Sequence, residues 1–321
     1  MKVLVTGITG FAGSHLSAYL RGEGIEVSGL DLRPASEEFN AGFGDAPPPV
    51  HCCDLADSGR VAEVLARERP EAVVHLAARA QVAGAWEDAV AITQSNAVCT
   101  QSLMQAIHQA VPQARVLLIS SSEVYGKVPQ EQMPIDEQTP LKPNNPYSAS
   151  KVAQEYIGLQ YFHAFGAPIV IARPFNHIGP GQKGNFVVPA FASQLAEMEA
   201  GLREPVLRVG NLDAARDFTD VRDIVHGYWL ALRKGEPGGI YNIASGSAHK
   251  IQHILDTLLK LSKIQPRVEP IPELMRPSDI PQVIGDASRL RSLGEWQPQV
   301  PLEQSLSDAL DYWRRQVSQS G

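Results

Sequence analysis

The sequence predicts an α/β fold, a doubly wound parallel sheet with a smaller α/β substrate-binding lobe, and three observations carry that expectation. From residue 2 to about 170, short β-rich apolar runs alternate with longer amphipathic segments, the pattern of a parallel sheet covered by helices on both faces. A glycine-rich stretch, GITGFAG, follows the first run directly, where a tight passage from strand into helix calls for residues without a Cβ. After Arg173 the alternation loosens into loops rich in Gly, Pro and Asn. The expected division assigns 1–175, rejoined by 220–245, to the sheet domain, and 176–219 with 246–321 to the lobe.

Taken in order, KVLVTG, EVSGLDL, AVVHLAA, RVLLIS and APIVIAR read as buried strands, being short, β-rich and apolar at consecutive positions. Between them SHLSAYLRGEG, DSGRVAEVLARERP and QSNAVCTQSLMQAIHQA read as helices. Beyond the sheet, an amphipathic helix is expected near 188–201 and another over DVRDIVHGYWLALRKG. GGIYNIASG reads as one more buried strand, followed by helices in HKIQHILDTLLKLS and PLEQSLSDALDYWRRQ. No internal repeat and no low-complexity segment interrupts the pattern.

The composition narrows the function classes. The 321 residues suffice for a large core. Lys and Arg number 28 against 35 Asp and Glu, a net charge of −7, which argues against a non-specific nucleic-acid surface. The N-terminal run reads as a core strand, not a signal peptide. No apolar stretch approaches the roughly 18 residues that a membrane-spanning helix needs. The three cysteines, Cys52, Cys53 and Cys99, have neither disulfide nor zinc spacing, so no metal is expected and the reducing cytoplasm is the expected home.

GITGFAG sets Gly7, Gly10 and Gly13, with Phe11 and Ala12 between them, at a strand-to-helix passage. Such a loop serves a tight turn, close approach to a pyrophosphate and close helix packing, with the helix N-terminus offering amides to the phosphates. This is the Rossmann-like signature of a dinucleotide site. Asp31, 18 residues past Gly13, ends the second strand, where an acid bonds the adenosine ribose hydroxyls and disfavours a 2′-phosphate. Arg33 offsets that by pairing with such a phosphate. NAD(H) is therefore slightly favoured over NADP(H). In HCCDLAD, Asp54 and Leu55 are placed at the adenine, with a helix N-cap as the alternative for Asp54.

NNPYSASK sets Tyr147 and Lys151 one helical turn apart. Hydride transfer to a carbonyl requires a proton donor, and a free phenol near pKa 10 is a poor one. An ammonium beside it favours the phenolate and draws the pKa towards the working range. ISSSEVYG adds Ser120, Ser121 and Ser122 at the end of the preceding strand.

The glycine loop, SSSEVYG and YxxxK together resemble the extended short-chain dehydrogenase/reductase family, which acts on nucleotide sugars, and the likeness covers essentially the whole chain. The resemblance implies that Ser121 bonds the substrate O4, Tyr147 is the acid/base and Lys151 its electrostatic partner. It implies that Leu76, Ala77 and Ala78 in HLAARAQV line the cofactor, that Asn96 supports the active-site helix, and that the run from Arg173 through Pro174 to Asn176 lies between nicotinamide and sugar diphosphate. The resemblance further implies that Ser122 and Glu123 face the substrate, with Glu123 at the place of the C5 base in the family's 4,6-dehydratases. RPFNHIGPGQ, NFVVPAF and VGNLDAARDFTDVRD closely resemble GDP-4-dehydro-6-deoxy-D-mannose reductases, which yield GDP-D-rhamnose. A GDP-mannose 4,6-dehydratase or another nucleotide-sugar reductase or epimerase remains the alternative, and a non-catalytic dinucleotide sensor is the reading from a different class.

The substrate's diphosphate calls for planar guanidinium forks. Arg216 and Arg276 follow loop-breaking signals in the second lobe, as the family's diphosphate arginines do. Asn176 adds an amide, and Asn185 with Val187 resembles the segment packed on the nucleoside. The family resemblance also implies a homodimer through a bundle of helices, here near 92–110 and 147–165.

Overall fold

Consecutive apolar residues have one outcome in a strand: odd and even positions both meet a covering layer. The computed structural model, which describes residues 1–80, 85–184, 186–275 and 280–320, shows this directly. Strands β1 (Lys2–Thr6), β2 (Glu26–Asp31), β3 (Val50–Cys52), β4 (Ala72–His75) and β5 (Arg115–Ile119) alternate with helices. These are α1 (Phe11–Gly22), α2 (Glu37–Ala41), α3 (Ser58–Glu68), α4 (Ala89–Thr93) and α5 (Cys99–Ala110), with α6 (Pro146–Phe165) and β6 (Ile169–Pro174) next. The chain continues through β7 (Asn176–Ile178), α7 (Val187–Glu199), β8 (Val206–Val209), β9 (Ala215–Asp220), α8 (Val221–Lys234) and β10 (Ile240–Ile243). It closes with β11 (Ala248–Lys250), α9 (Ile251–Leu261), β12 (Arg267–Pro270), α10 (Ser288–Arg291) and α11 (Leu302–Ser320).

Seven strands form one sheet in the order β3-β2-β1-β4-β5-β6-β10, every neighbouring pair parallel. Val3, Val5, Leu117, Val170 and Ala172 face α1 and α8 on one side. Leu4, Val73, Val116, Leu118 and Ile171 face a cluster with Val61, Leu103 and Tyr161 on the other. The strand order reverses between β1 and β4, which opens a crevice at their C-terminal ends, the place where ligands bind in such sheets. The strand β3 escapes the sequence pattern because it is a three-residue edge strand without fully buried positions.

The lobe is built differently. Strands β11, β9 and β7 form a three-stranded sheet and β12 pairs with β8, while α7, α9 and α11 bury Phe191, Leu195, Ile254, Leu258, Leu306 and Leu310 together. Ala287, Leu290 and Trp296 instead pack with α8 and the large sheet, and the Trp296 indole donates to the Asp223 carbonyl at 3.0 Å. No helix among the described residues is long and apolar enough to cross a membrane.

Candidate active site

The glycines occupy the switch point for separable reasons. Gly7 has φ +70° and a Cβ there would lie 2.8 Å from the Ala77 nitrogen. A Cβ on Gly13 would lie 2.2 Å from the Gly7 carbonyl oxygen. Gly10 is the N-cap of α1 and gives it no side-chain cap, so the first amides of that helix are free for an anion. Ala77 and Ala78 are half-buried beside Leu76, whose amide bonds the Thr6 carbonyl. Phe11 stacks on His177, with ring centroids 5.8 Å apart, and so joins the glycine loop to the loop after β6. Ala12 packs against the core beneath it.

Asp31 is held in place at the end of β2. Its Oδ2 accepts from the Thr9 amide at 3.1 Å and the Thr9 hydroxyl at 2.8 Å, and Oδ1 accepts from the Leu32 amide at 2.8 Å. Arg33 is exposed two residues on. Asp54 accepts from the Ala56 amide at 2.9 Å, and Leu55 is buried. The N-cap alternative for Asp54 is overturned: Asp57 caps α3, accepting from the Arg60 amide at 2.9 Å. A loop that a Cβ would block, uncapped helix amides and a fixed carboxylate together fit a dinucleotide.

At the reacting end a capping box starts α6. The Asn145 side chain accepts from the Ser148 amide at 2.8 Å, and the Ser148 hydroxyl accepts from the Asn145 amide at 3.1 Å. Tyr147 thereby sits in the first helical turn, buried, with Ser121 as its hydrogen-bonding neighbour. The Ser121 hydroxyl accepts from the Glu123 amide at 3.2 Å. Glu123 has Asn145 Nδ2 at 3.5 Å from its carboxylate, and Ser122 opens the short turn over Ser122–Tyr125.

Lys151 corrects the electrostatic expectation. Its ammonium donates to the Ile119 carbonyl at 2.7 Å and to Gln154 Oε1 at 2.9 Å, and lies 5.9 Å from the Tyr147 ring centroid. It is tied to the strand end rather than to the phenol. Burial pushes Tyr147 up to about 12, with Ser121 opposing and Glu123 adding to the rise. Burial likewise draws Lys151 down to about 7, opposed by Glu155. The phenol is held protonated.

Two networks that the motifs did not reveal hold this geometry. Arg173 grips Glu155 at 2.6 and 2.8 Å and donates to the Tyr125 hydroxyl at 3.0 Å, which donates to Asn242 Oδ1 at 2.7 Å. The Ser120 hydroxyl also donates to Glu155, so Ser120 belongs to this anchor. The sequence signal was available: Tyr147, Lys151 and Glu155 recur at four-residue spacing on one helix face. Asn96 sits in a π-helical turn, Gln94–Val98, ahead of α5. It donates to the Ser150 hydroxyl at 3.0 Å, and that hydroxyl donates to the Tyr147 carbonyl at 2.7 Å.

The sugar end is looser. Pro174 closes β6 in the core, whereas Asn176 is exposed at the start of β7. Val187 opens α7 half-buried. Arg216 reaches across β9 and donates to the Ala215 carbonyl at 2.9 Å and the Ile280 carbonyl at 2.7 Å. Asn185 and Arg276 lie outside the described residues.

Residues 4–309 match the GDP-mannose 4,6 dehydratase family. The chain is 35% identical to the GDP-6-deoxy-D-mannose reductase of Pseudomonas aeruginosa over 98% of each chain. It is 30% identical to GDP-mannose 4,6 dehydratase 2 of Arabidopsis thaliana, over 96% of this chain and 85% of that one. Among solved structures, RMD from Pseudomonas aeruginosa complexed with NADPH superposes with a TM-score of 0.87 at 34% identity, over 98% of this chain and 99% of the other. The UDP-glucose 4-epimerase of Thermus thermophilus in complex with NAD superposes with a TM-score of 0.85 at 30% identity, over 98% and 99%.

Proposed function

Because the chain belongs to the GDP-mannose 4,6-dehydratase family of extended short-chain dehydrogenases/reductases, we propose that it is an NAD(P)-dependent nucleotide-sugar reductase. It reduces C4 of GDP-4-keto-6-deoxymannose to give GDP-D-rhamnose. The observation that carries this reading is the 35% identity to the Pseudomonas reductase over 98% of both chains.

When bound, the reduced nicotinamide supplies the hydride. Tyr147 gives its proton to O4 while the Ser121 hydroxyl bonds the same oxygen, a pairing of the kind that accelerates a step by about 10²–10⁴-fold. Lys151, 5.9 Å from the ring, ties α6 to the end of β5 through the Ile119 carbonyl and so helps to hold Tyr147 in place. The glycine loop and the α1 amides hold the pyrophosphate, and Asp31 holds the adenosine ribose. Arg33 stands where a 2′-phosphate would need a partner, and either NAD(H) or NADP(H) fits. Residues 1–175 with 220–245 carry these tasks. The rest of the chain, with Asn176 and Arg216, receives the GDP moiety.

One observation favours a second reading: Glu123 stands in the site beside Asn145, where a 4,6-dehydratase needs a base. Incubation separates them. The reductase consumes reduced cofactor in equal amount with ketosugar; the dehydratase consumes GDP-mannose with no net change in reduced cofactor. Val98, Tyr156 and Phe165, 50, 62 and 60% exposed on the α5 and α6 side, support a homodimer through those helices. The three free cysteines suit the cytoplasm.

A further inference from the structure

A buried histidine that no step above uses joins the two sides of the site. His75 is the last residue of β4 and is fully buried. Its Nδ1 lies 2.7 Å from the Thr6 hydroxyl, and its Nε2 lies 2.9 Å from the Thr100 hydroxyl. The β1–β4 register sets Thr6 level with His75, while Thr100 stands in the first turn of α5. Burial, with the Lys151 ammonium adding to it, lowers the ring to about 3. The imidazole is therefore neutral near pH 7 and carries one proton.

The neighbours decide which nitrogen holds that proton. The Thr100 hydroxyl donates its only proton to the Asn96 carbonyl at 2.5 Å, so towards the ring it can only accept. Nε2 is thus the protonated nitrogen, and Nδ1 accepts from Thr6. The Thr6 oxygen in turn accepts from the Ala77 amide at 3.2 Å. The chain of donors runs one way: from the Ala77 amide to Thr6, to His75, to Thr100, to the Asn96 carbonyl.

Its two ends are the parts that must stay in register. The Ala77 nitrogen is the atom that a Cβ on Gly7 would meet at 2.8 Å, so that amide packs directly on the glycine loop. At the other end Asn96 sits in the π-helical turn, a widening often found at functional sites. Its side chain accepts from the Arg79 amide at 2.8 Å and donates to the Arg79 carbonyl at 3.1 Å and to the Ser150 hydroxyl. Ser150 then donates to the Tyr147 carbonyl. Thr6, His75, Asn96, Thr100 and Ser150 are all buried, and a fully satisfied buried network of this kind holds one geometry. We propose that His75 is a positioning residue for hydride transfer, the brace that fixes the Tyr147 helix relative to the loop after β4 and the glycine loop beneath it. This deepens the reductase reading and rests on it.

The two bonds of the ring can be cut one at a time. An asparagine amide reaches the place of Nδ1 and a glutamine amide that of Nε2, so His75→Asn keeps the Thr6 bond and His75→Gln keeps the Thr100 bond. Both variants should melt below the wild type. In single-turnover mixing of the full chain, saturated with NADPH or NADH, with GDP-4-keto-6-deoxymannose, His75→Asn should slow hydride transfer by about tenfold or more and keep its dinucleotide affinity. His75→Gln should recover most of that rate and instead bind NADP⁺ and NAD⁺ roughly tenfold more weakly in calorimetry. Thr100→Val should slow the step as His75→Asn does, and Thr100→Ser should restore it; this pair decides if the histidine variants do not fold. Rates that fall equally in His75→Asn and His75→Gln, in step with melting temperature, or further in His75→Gln, would overturn the proposal, as would a wild-type rate in Thr100→Val. If the wild type reduces no ketosugar, the reductase reading falls and the proposal with it. If the wild type reduces it and the variants do so equally, His75 alone is wrong.

Discussion

The two ends of the crevice are held by different means. At the dinucleotide end the determinants are backbone: Gly7 and Gly13 admit no Cβ because Ala77 and the Gly7 carbonyl are already there, and Thr9 fixes the Asp31 carboxylate. At the proposed sugar end they are side chains on short lobe strands: Asn176 is exposed at the start of β7, and Arg216 on β9 leans on the carbonyls of Ala215 and Ile280. Backbone sites tolerate one residue type and leave a motif. Side-chain sites tolerate several and set specificity.

Four substitutions sharpen or break that contrast, from the largest effect down. Glu155→Gln strands the buried Arg173 charge and should cost about 3–5 kcal/mol of stability, read by denaturant unfolding; a near-normal midpoint would mean that the Arg173–Glu155 pair does not anchor α6. Gly13→Ala sets a Cβ 2.2 Å from a carbonyl oxygen and should weaken dinucleotide binding by about a hundredfold or more. Calorimetry checks this, and unaltered affinity would refute a backbone-built site. Asn176→Ala should weaken GDP binding roughly tenfold while sparing the cofactor; a joint loss would show that the two ends are not separate.

The smallest effect is Lys151→Met. Burial lowers Lys151 from 10.5 to about 7, so in that window the unfolded chain holds a proton that the folded chain releases. Wild-type stability therefore rises with pH from about 7 to 10.5. The variant lacks this slope, and the Ile119 carbonyl keeps its bond from Gln154 Nε2 at 3.2 Å. Its melting temperature should exceed wild type by about 2–4 °C near neutral pH, with the gap closing as pH rises. A gap that widened instead would reverse the assignment.

Legibility followed the same line. The sheet was readable because Val3, Leu4 and Val5 are buried on alternate faces, and the glycine loop because sterics dictate residue type. Tyr147, Lys151 and Ser121 were readable as a spacing, but the direction of the phenol's pKa was not. Burial and the bond from Lys151 to Ile119 depend on β5 and α6 meeting, which no local pattern encodes. Strands β7, β8, β11 and β12 are three or four residues long, too short to show a period. His75 reads in the sequence as one more strand residue, and only the packed fold sets its ring between Thr6 and Thr100.

The account turns on Tyr147 as the proton source for O4. Single-turnover mixing of Tyr147→Phe with reduced cofactor and GDP-4-keto-6-deoxymannose tests this most directly, with calorimetry on both ligands alongside. Hydride transfer should slow by about 10²-fold or more while both ligands bind as to the wild type. A variant that transfers hydride at the wild-type rate would contradict it.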